Sequence, residues 1–417
     1  MTVSEDQAVP PSNVDADALS AAVASWLRAN LPRSWVAAID ADDPQALAEA
    51  RATLDLTDWW ARLADAGFVT PTWPRCYGGL DLTPVMGALV MRRLREYKVP
   101  RFRENAVGVN LVGPAILRWG SDAQKERFLE PIAHNREVWC QMFSEPGAGS
   151  DLASLSTRAV RDGDTWLISG QKVWTSFAHI ADWGLLLART EPDAPKHRGI
   201  TAFILPVKQS GVIVRPLRHL TGDAEFNEVF FDNAEVPDEL RLGEVNGGWQ
   251  VTVSVLMNER VGASGIGATL PGAETGRSVQ TLIRRHGPIQ NPVLRDRLTR
   301  LWIESELIRM TNLRAAARRR AGHPPGPEGS ITKLLQSHHT QALQNLAIDL
   351  EGARGQAWTV DDRWLQNTVW SFLRVRMKTI GGGTSEIQRT ILGERLLGLP
   401  KEPQVDRDLA WKDVRRS

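Results

Sequence analysis

Apolar and polar positions change their rhythm twice along the chain. From Ala16 to about Ile132 apolar residues recur every three or four positions, which predicts helices. "DALSAAVASWLRANL" opens on an Asp or Ser cap. "TPVMGALVMRRLREY" and "DAQKERFLEPIAHN" keep the period, the second with Ser121 as N-cap and acidic residues in its first turns. "PTWPRCYGG" is rich in breakers and predicts a loop, and residues 1–15 read as a loose tail. Near Glu137 the period drops to two. "STRAVRDGDTWLISGQKVWTS" alternates around Asp-Gly-Asp and Ser-Gly turns, a hairpin signature. "DWGLLLART", "ITAFILPV", "GVIVRPLR" and "NEVFFDNAEVP" predict further strands, enough for a compact barrel or sandwich. At Gly247 the helical period returns. "GWQVTVSVLMNERVGASGIGATLPGAETGRSVQTLIRRHG" predicts one long helix whose Gly262, Ala263, Ser264, Gly265 and Gly267 suit close approach by another backbone. Three more helices are expected at about 292–321, 331–352 and 361–378, with "AGHPPGPEGS" as a linker after the first. The expected organisation is helical over 1–136, β over 137–246 and helical again over 247–417.

Composition narrows the function classes. The chain has 417 residues, of which 42% are apolar, so a large core is available and general disorder is not expected. Lys plus Arg (50) and Asp plus Glu (49) balance to +1, which argues against nucleic-acid binding through bulk charge. Cys76 and Cys140 form neither a CxxC nor a zinc spacing, so no disulfide framework and no metal site are expected. The N-terminal stretch lacks the basic-then-apolar pattern of a secretory signal, and no apolar run approaches the roughly 20 residues of a membrane span. The expected setting is the cytoplasm, with no membrane partner.

Generic catalytic motifs are absent: there is no GxSxG, HExxH or GxxxxGK[ST]. "GAGSDL" (147–152) lacks the third glycine of a dinucleotide fingerprint and precedes antiparallel-looking strands. "RAAARRRAGH" (314–323) reads as a helix C-terminus, where the dipole favours cations. His338 and His339 read as helix-surface residues. "SEPGAGSD" (144–151) is more informative. Pro146 fixes a turn, Gly147 and Gly149 permit close approach to the backbone, and Ser150 adds a hydroxyl. In "GQKVWTS" (170–176), Trp174 and Ser176 would share a strand face. A flat aromatic beside amides and hydroxyls suits a planar cofactor with polar edges; the plainer alternative is a tryptophan buried in a barrel wall.

"WCQMFSEPGAGSD" (139–151), "GQKVWTS" (170–176), "LMNER" (256–260) and "GGTSEIQR" (382–389) together resemble the acyl-CoA dehydrogenase family, over nearly the whole chain. The resemblance implies an α+β fold: an N-terminal helical domain, a middle antiparallel β-barrel and a C-terminal four-helix bundle, assembled as homodimers or homotetramers. It also implies FAD, an acyl-CoA substrate converted to the trans-2-enoyl thioester, and an electron-transfer flavoprotein as acceptor. By resemblance, Met142, Phe143 and Ser144 sit at the flavin, Gly149 and Ser150 are cofactor-side positions, and Ser150 also touches CoA. Trp174 covers the flavin and Ser176 helps hold it. Thr384 and Glu386 match positions that touch FAD across a subunit interface, at a helix start where Ser385 and Gln388 could form a capping box. Arg284 or Arg285, and Gly352 of "DLEG", match further FAD contacts. Asn258 and Arg260 match substrate-side positions.

The run Gly381–Gly383 carries the main departure. Many relatives place the catalytic glutamate directly before "GTS", where this chain has Gly382. A second branch, which includes isovaleryl and long-chain enzymes, carries the base on the first long helix of the bundle, at the position of Glu259. The resemblance therefore assigns Glu259 as the base and the Gly382 amide as a donor to the thioester oxygen; the plainer reading of Glu259 is a solvated glutamate beside Arg260. Three further readings stand beside the enzyme: an FAD-binding partner subunit of a heteromeric dehydrogenase, an oxidase or monooxygenase variant, and the family's DNA-associated branch, which the balanced charge disfavours. The acyl group is open, although Gly382 makes branched or bulky groups conceivable, and a carrier-protein thioester remains an alternative to CoA.

Overall fold

The computed structural model describes residues 15–100, 102–263, 279–321, 326–357, 361–403 and 405–414, with the backbone alone at 44, 258–263, 319, 320 and 328. It divides into two units, Met1–Trp139 and Cys140–Ser417.

The first unit is helical. Its helices are α1 (Ala16–Asn30), α2 (Arg33–Asp40), α3 (Pro44–Ala52), α4 (Leu56–Asp65), α5 (Pro84–Glu96), α6 (Asn105–Val107), α7 (Gly113–Trp119) and α8 (Asp122–Ala133). Asp15, Asp43, Asp55 and Thr83 cap α1, α3, α4 and α5 with their side-chain oxygens. Ser121 and Gln124 form a full capping box on α8, at the cap the sequence indicated. Each helix turns its apolar positions inward, so Leu19, Val23, Leu27, Trp35, Trp59, Leu63, Leu94, Ile116 and Phe128 are buried. Two of the buried tryptophans donate their indole N–H groups across the unit: Trp35 to the Tyr97 carbonyl at 2.8 Å and Trp60 to that of Ala133 at 2.9 Å.

The second unit begins as a sheet: β1 (Trp139–Met142), β2 (Arg158–Asp162), β3 (Thr165–Ser176), β4 (Trp183–Arg189), β5 (Ile200–Pro206), β6 (Val212–Leu217), β7 (Phe226–Pro237) and β8 (Arg241–Leu242). The order is β6-β7-β3-β2-β4-β5-β8, with β1 against β4. The β2–β3, β3–β7, β6–β7, β4–β5 and β5–β8 pairs are antiparallel, and a parallel contact, Arg158 beside Arg189, joins the hairpin half to the β4–β5 half. The β2–β3 hairpin turns on Gly163-Asp164 with Gly163 at φ 59°, as the Asp-Gly-Asp signal requires. β4 and β5 are buried along almost their whole length, which is why "GLLLAR" and "ITAFIL" are continuous apolar runs.

Helices follow: α9 (Gly248–Ala263), α10 (Val279–His286), α11 (Pro292–Arg320), α12 (Glu328–Glu351), α13 (Arg363–Arg374) and α14 (Ser385–Ile391). The helix expected to run unbroken from 247 is described as α9 and α10, and the stretch 264–278 with its small residues lies outside the described residues. α12 is the central helix, packed against α9, α10, α11, α13 and α14. Leu298, Leu301, Leu343, Leu346, Ala347, Val279 and Leu282 form the seam between α10, α11 and α12. α9 also packs on β5, which joins helices to sheet within this unit. Among the described residues no helix is long and apolar enough to cross a membrane.

Candidate functional site

Two loops carry the chemistry-bearing motifs, and each is shaped by hydrogen bonds from behind. The first follows β1. Glu145 and Ala148 exchange N–H···O bonds at 3.0 Å, closing the tight turn that Pro146 and Gly147 indicated. A Cβ built on Gly147 or Gly149 would meet nothing within 4 Å, so both glycines face open space. No βαβ unit surrounds "GAGSDL" among the described residues; the chain passes through a short 3-10 turn, Leu152–Ser154, into β2.

Lys172 and Glu145 meet beneath this turn. Lys172 is fully buried, and its Nζ donates to Glu145 Oε1 at 2.8 Å and to the Phe143 carbonyl at 3.0 Å. Glu145 also accepts from the Thr157 amide (2.9 Å), the Ser156 amide (2.7 Å) and the Ser156 hydroxyl (2.8 Å). Burial alone would raise the Glu145 pKa, but the Lys172 charge and these donors outweigh it and hold the carboxyl at about 2. Burial pulls the Lys172 pKa down against the opposing pull of Glu145. Gly170 lies beside the same point: a Cβ there would come within 2.7 Å of the Thr157 Cα, so only glycine permits that approach of β3 to 156–157. Sequence reasoning missed Lys172 and Glu145, because a lysine in an alternating strand reads as an outward position.

Trp174 departs from the expected alternation. A register shift falls between Lys172 and Thr175, and Trp174 stands at φ 61°, rare for a bulky residue. Its ring is 61% exposed while Thr175 is buried, so the alternative of a tryptophan in the barrel wall is ruled out. A strained backbone that lifts an aromatic ring off a sheet is a marker of function. Ser176 is half-buried. Among the described residues the hydroxyls of Ser144, Ser150 and Ser176, the Ser144 amide and the Trp174 indole N–H have no hydrogen-bond partner. By contrast, the Met142 and Phe143 side chains are buried in the core, so a ligand could meet these two residues only through the main chain.

The second loop runs from Val375 to Thr384. Lys333, buried on α12, donates to the carbonyls of Lys378 (3.0 Å) and Gly383 (2.7 Å). Gln341 donates to the Thr379 hydroxyl (3.1 Å), and Gln388 to the carbonyls of Gly382 (3.4 Å) and Gly383 (3.3 Å). Gly382 and Gly383 have φ 68° and 87°, while Gly381 is not left-handed. The amides of Gly382 and Gly383 have no acceptor among the described residues. The expected capping box is corrected here: Thr384, not Ser385, is the N-cap of α14, its Oγ1 accepting from the Ile387 amide at 3.2 Å. Gln388 serves the glycine carbonyls instead, and Ser385 lies inside the helix beside His338. Glu386 is exposed, its pKa lowered by its own backbone amide and by Thr384. Burial and the nearby Arg374 charge lower the pKa of Lys378.

Phe226 brings the two regions together. Trp174 meets its ring edge-on at 6.2 Å, and Arg374, at the end of α13, lies 5.4 Å over the same ring. Arg374 also pairs with Glu225 and contacts His219. The glycine loop therefore starts within a turn of a residue anchored beside Trp174. Of the remaining predicted positions, Arg284 and Arg285 are both exposed on α10, and Arg285 stacks on Trp364 at 5.1 Å. Gly352 ends α12 at φ 59° with open space at its Cβ. The backbone of Asn258, Glu259 and Arg260 belongs to α9; their side chains lie outside the described residues. A further element was not foreseen. Lys196 holds both Asp151 (2.9 Å) and Asp406 (3.0 Å), and Trp411 donates to the Ser154 carbonyl at 3.3 Å, which straps the chain's last described stretch to the first loop.

Comparison with known proteins agrees with this layout. The acyl-CoA dehydrogenase N-terminal domain matches residues 16–136, the middle domain 140–234 and the C-terminal domain 246–397. Acyl-CoA dehydrogenase IpdE1 of Mycobacterium tuberculosis is 38% identical over 93% of this chain and 99% of its own length. Acyl-CoA dehydrogenase FadE34 of the same organism is 42% identical over 81% of this chain, which spans about half (46%) of that longer relative. A solved structure described as the Tcur3481-Tcur3483 steroid ACAD superposes with a TM-score of 0.74 at 27% identity, over 93% of this chain and 98% of that one.

Proposed function

This chain is a member of the acyl-CoA dehydrogenase family, and from that premise we propose that it oxidises the α,β-bond of an acyl-CoA to the trans-2-enoyl thioester with FAD bound between its two motif loops. The observation that carries the reading is a set of donors with no partner among the described residues, on one strand and its neighbouring loop: Ser144, Ser150 and Ser176, with an outward Trp174 at a left-handed backbone position. Such a set suits a flat ring with polar edges. When bound, FAD supplies the hydride acceptor that the chemistry requires.

The protein's own residues supply the rest. The Ser144 amide and hydroxyl donate to the cofactor's edge, Trp174 covers its face, and Ser176, Gly149 and Ser150 line the approach. Arg284, Gly352, Thr384 and Glu386 serve the cofactor of an adjoining subunit. Glu259 takes the α-proton. α9 carries it from a base packed on β5 and α12, and position 382, where many relatives have an acid, has no side chain. The Gly382 amide donates to the thioester oxygen, where negative charge grows as the proton leaves. Asn258 and Arg260 bind the CoA portion. The division 1–136, 137–246 and 247–417 separates the N-terminal helices, the sheet and the helices that complete the site. The acyl group is bulky and ring-bearing: Gly381–Gly383 remove volume from the loop, and a relative of similar fold is described as a steroid ACAD. Electrons pass to an electron-transfer flavoprotein, and the working unit is a cytoplasmic homo-oligomer.

Anaerobic titration with short, branched, long and polycyclic acyl-CoAs tests the reading. Bleaching of the bound flavin is expected, strongest with a polycyclic acyl group. Glu259→Gln should keep FAD and slow bleaching by about 10²- to 10⁴-fold; full-rate bleaching would remove Glu259 from its role. The two-part designation of the steroid ACAD favours a second reading, an FAD-binding subunit that needs a different partner chain. Bound FAD with no bleaching by any acyl-CoA would select it. Fast reoxidation by dioxygen, compared with a dye acceptor, would indicate an oxidase.

A further inference from the structure

We infer that Lys172 is a positioning residue: by holding the Phe143 carbonyl it aims the Ser144 amide at the acceptor edge of the bound cofactor. The inference rests on the FAD reading above and adds a residue that the motif reading passed over. A fully buried ammonium is a poor choice for stability alone, since well-packed apolar residues often replace buried ion pairs without loss. Its geometry shows a different use.

A peptide group is planar and trans, so its C=O and N–H point in opposite directions. Lys172 Nζ binds the Phe143 carbonyl at 3.0 Å, which turns the N–H of the same peptide, that of Ser144, away from β3. The next peptide is fixed in the same way: the Val173 amide binds the Ser144 carbonyl at 2.9 Å, and the Glu145 N–H on its far side goes to Ala148. Two successive carbonyls are thus committed to β3. The second peptide's N–H is used inside the turn; the first peptide's N–H, on Ser144, has no acceptor among the described residues. Glu145 keeps the ammonium in place. Its four donors come from Lys172, Ser156 and Thr157, so both oxygens are occupied and the lysine cannot swing toward another carboxylate oxygen without breaking the set.

The roles of the two residues separate by substitution. Lys172→Met keeps much of the side-chain volume and releases the Phe143 carbonyl. Pairing it with Glu145→Gln avoids a buried unpaired carboxylate. The double variant should fold, bind FAD at least about tenfold more weakly in titration of the apoprotein, and show a displaced flavin absorption band and midpoint potential. Glu145→Gln alone removes the charge but retains a side-chain oxygen to accept from the ammonium, which stays on the Phe143 carbonyl. It should lower the melting temperature and leave the flavin band and potential in place. If the double variant does not fold, Lys172→Arg, which keeps a cationic donor for the carbonyl, should retain FAD better than Lys172→Met alone. Native FAD affinity, band and potential in the double variant would overturn the inference, as would Glu145→Gln moving the flavin properties as far as the lysine change. Failure of the unaltered protein to take up FAD would instead refute the cofactor reading.

Discussion

The loop around Ser144 and the loop around Gly382 solve the same problem with different parts. Each leaves backbone N–H groups without an acceptor among the described residues, and each has its carbonyls gathered from behind. At Ser144 the gathering cation is locked by a carboxylate, and the backbone near it includes a strained non-glycine residue, Trp174. At Gly382 the donors come from helix side chains, Lys333 and Gln388, and glycines take the left-handed positions. The first arrangement is charged, dry and tightly bonded. The second depends on missing side chains. The difference predicts where each loop is fragile: the first to loss of charge balance, the second to added Cβ atoms.

The largest effect should come from Glu145→Ala. It strands the Lys172 ammonium and leaves the Ser156 and Thr157 amides unpaired, a loss of roughly 3–5 kcal/mol that thermal or denaturant unfolding would register. The same carboxyl sets an acid limit. Its folded pKa, about 2, lies below its ordinary 4.5, so its stabilisation is fully present above pH 4.5 and is lost as pH falls toward 2. That window is worth ~3 kcal/mol at 1.36 kcal/mol per pH unit. Stability flat from pH 5 to 2.5 would break the contrast, since the first loop would then owe nothing to its ion pair.

Lys333→Met comes next. Two carbonyls, those of Lys378 and Gly383, lose their donor, a loss of about 1–3 kcal/mol. The freed carbonyls are those of Lys378 and Gly383, so binding of acetoacetyl-CoA, followed by its perturbation of the flavin spectrum, should weaken more than FAD uptake does. Loss of FAD together with thioester binding would show that the two loops act as one unit.

How far these features were legible differs by kind. The strands and their hairpin turn were plain in the alternation, and β4 and β5 in their unbroken apolar runs, because burial on one or both faces imposes those periods. Although its partner Gln124 in the box was not foreseen, the Ser121 cap was readable because a serine stands directly before acidic residues that open a helical period. The bulge at Trp174 was not, because a two-residue period contains no signal for a left-handed φ. Nor was the choice of Thr384 over Ser385 as cap: both carry a suitable hydroxyl, and only the backbone angles decide. Lys172 and Lys333 were hidden for a third reason. Lysine normally marks solvent, and pattern reading has no way to know that a carbonyl waits behind it.

The smallest effects lie within the glycine run, and they separate its three members. Gly383 is held at φ 87°, and a Cβ there would come within 2.5 Å of Gln388 Nε2. Gly383→Ala must therefore pay for a left-handed alanine, roughly 1–2 kcal/mol, and push Gln388 off the carbonyls it serves. Gly381 is different. It is not left-handed, and a Cβ there would sit 3.6 Å from the Met377 carbonyl and 3.8 Å from the Met377 methyl, both ordinary contacts. Gly381→Ala should therefore leave stability within about 0.5 kcal/mol of the starting protein. If the loop lines the acyl site, that methyl takes room from the substrate instead, and bleaching by polycyclic acyl-CoA should slow more than bleaching by a short-chain one. A stable Gly381→Ala protein with unaltered preference would leave the run with a purely conformational purpose at 382 and 383 and none at 381. A selective loss would mean that two glycines shape the loop while the third makes room.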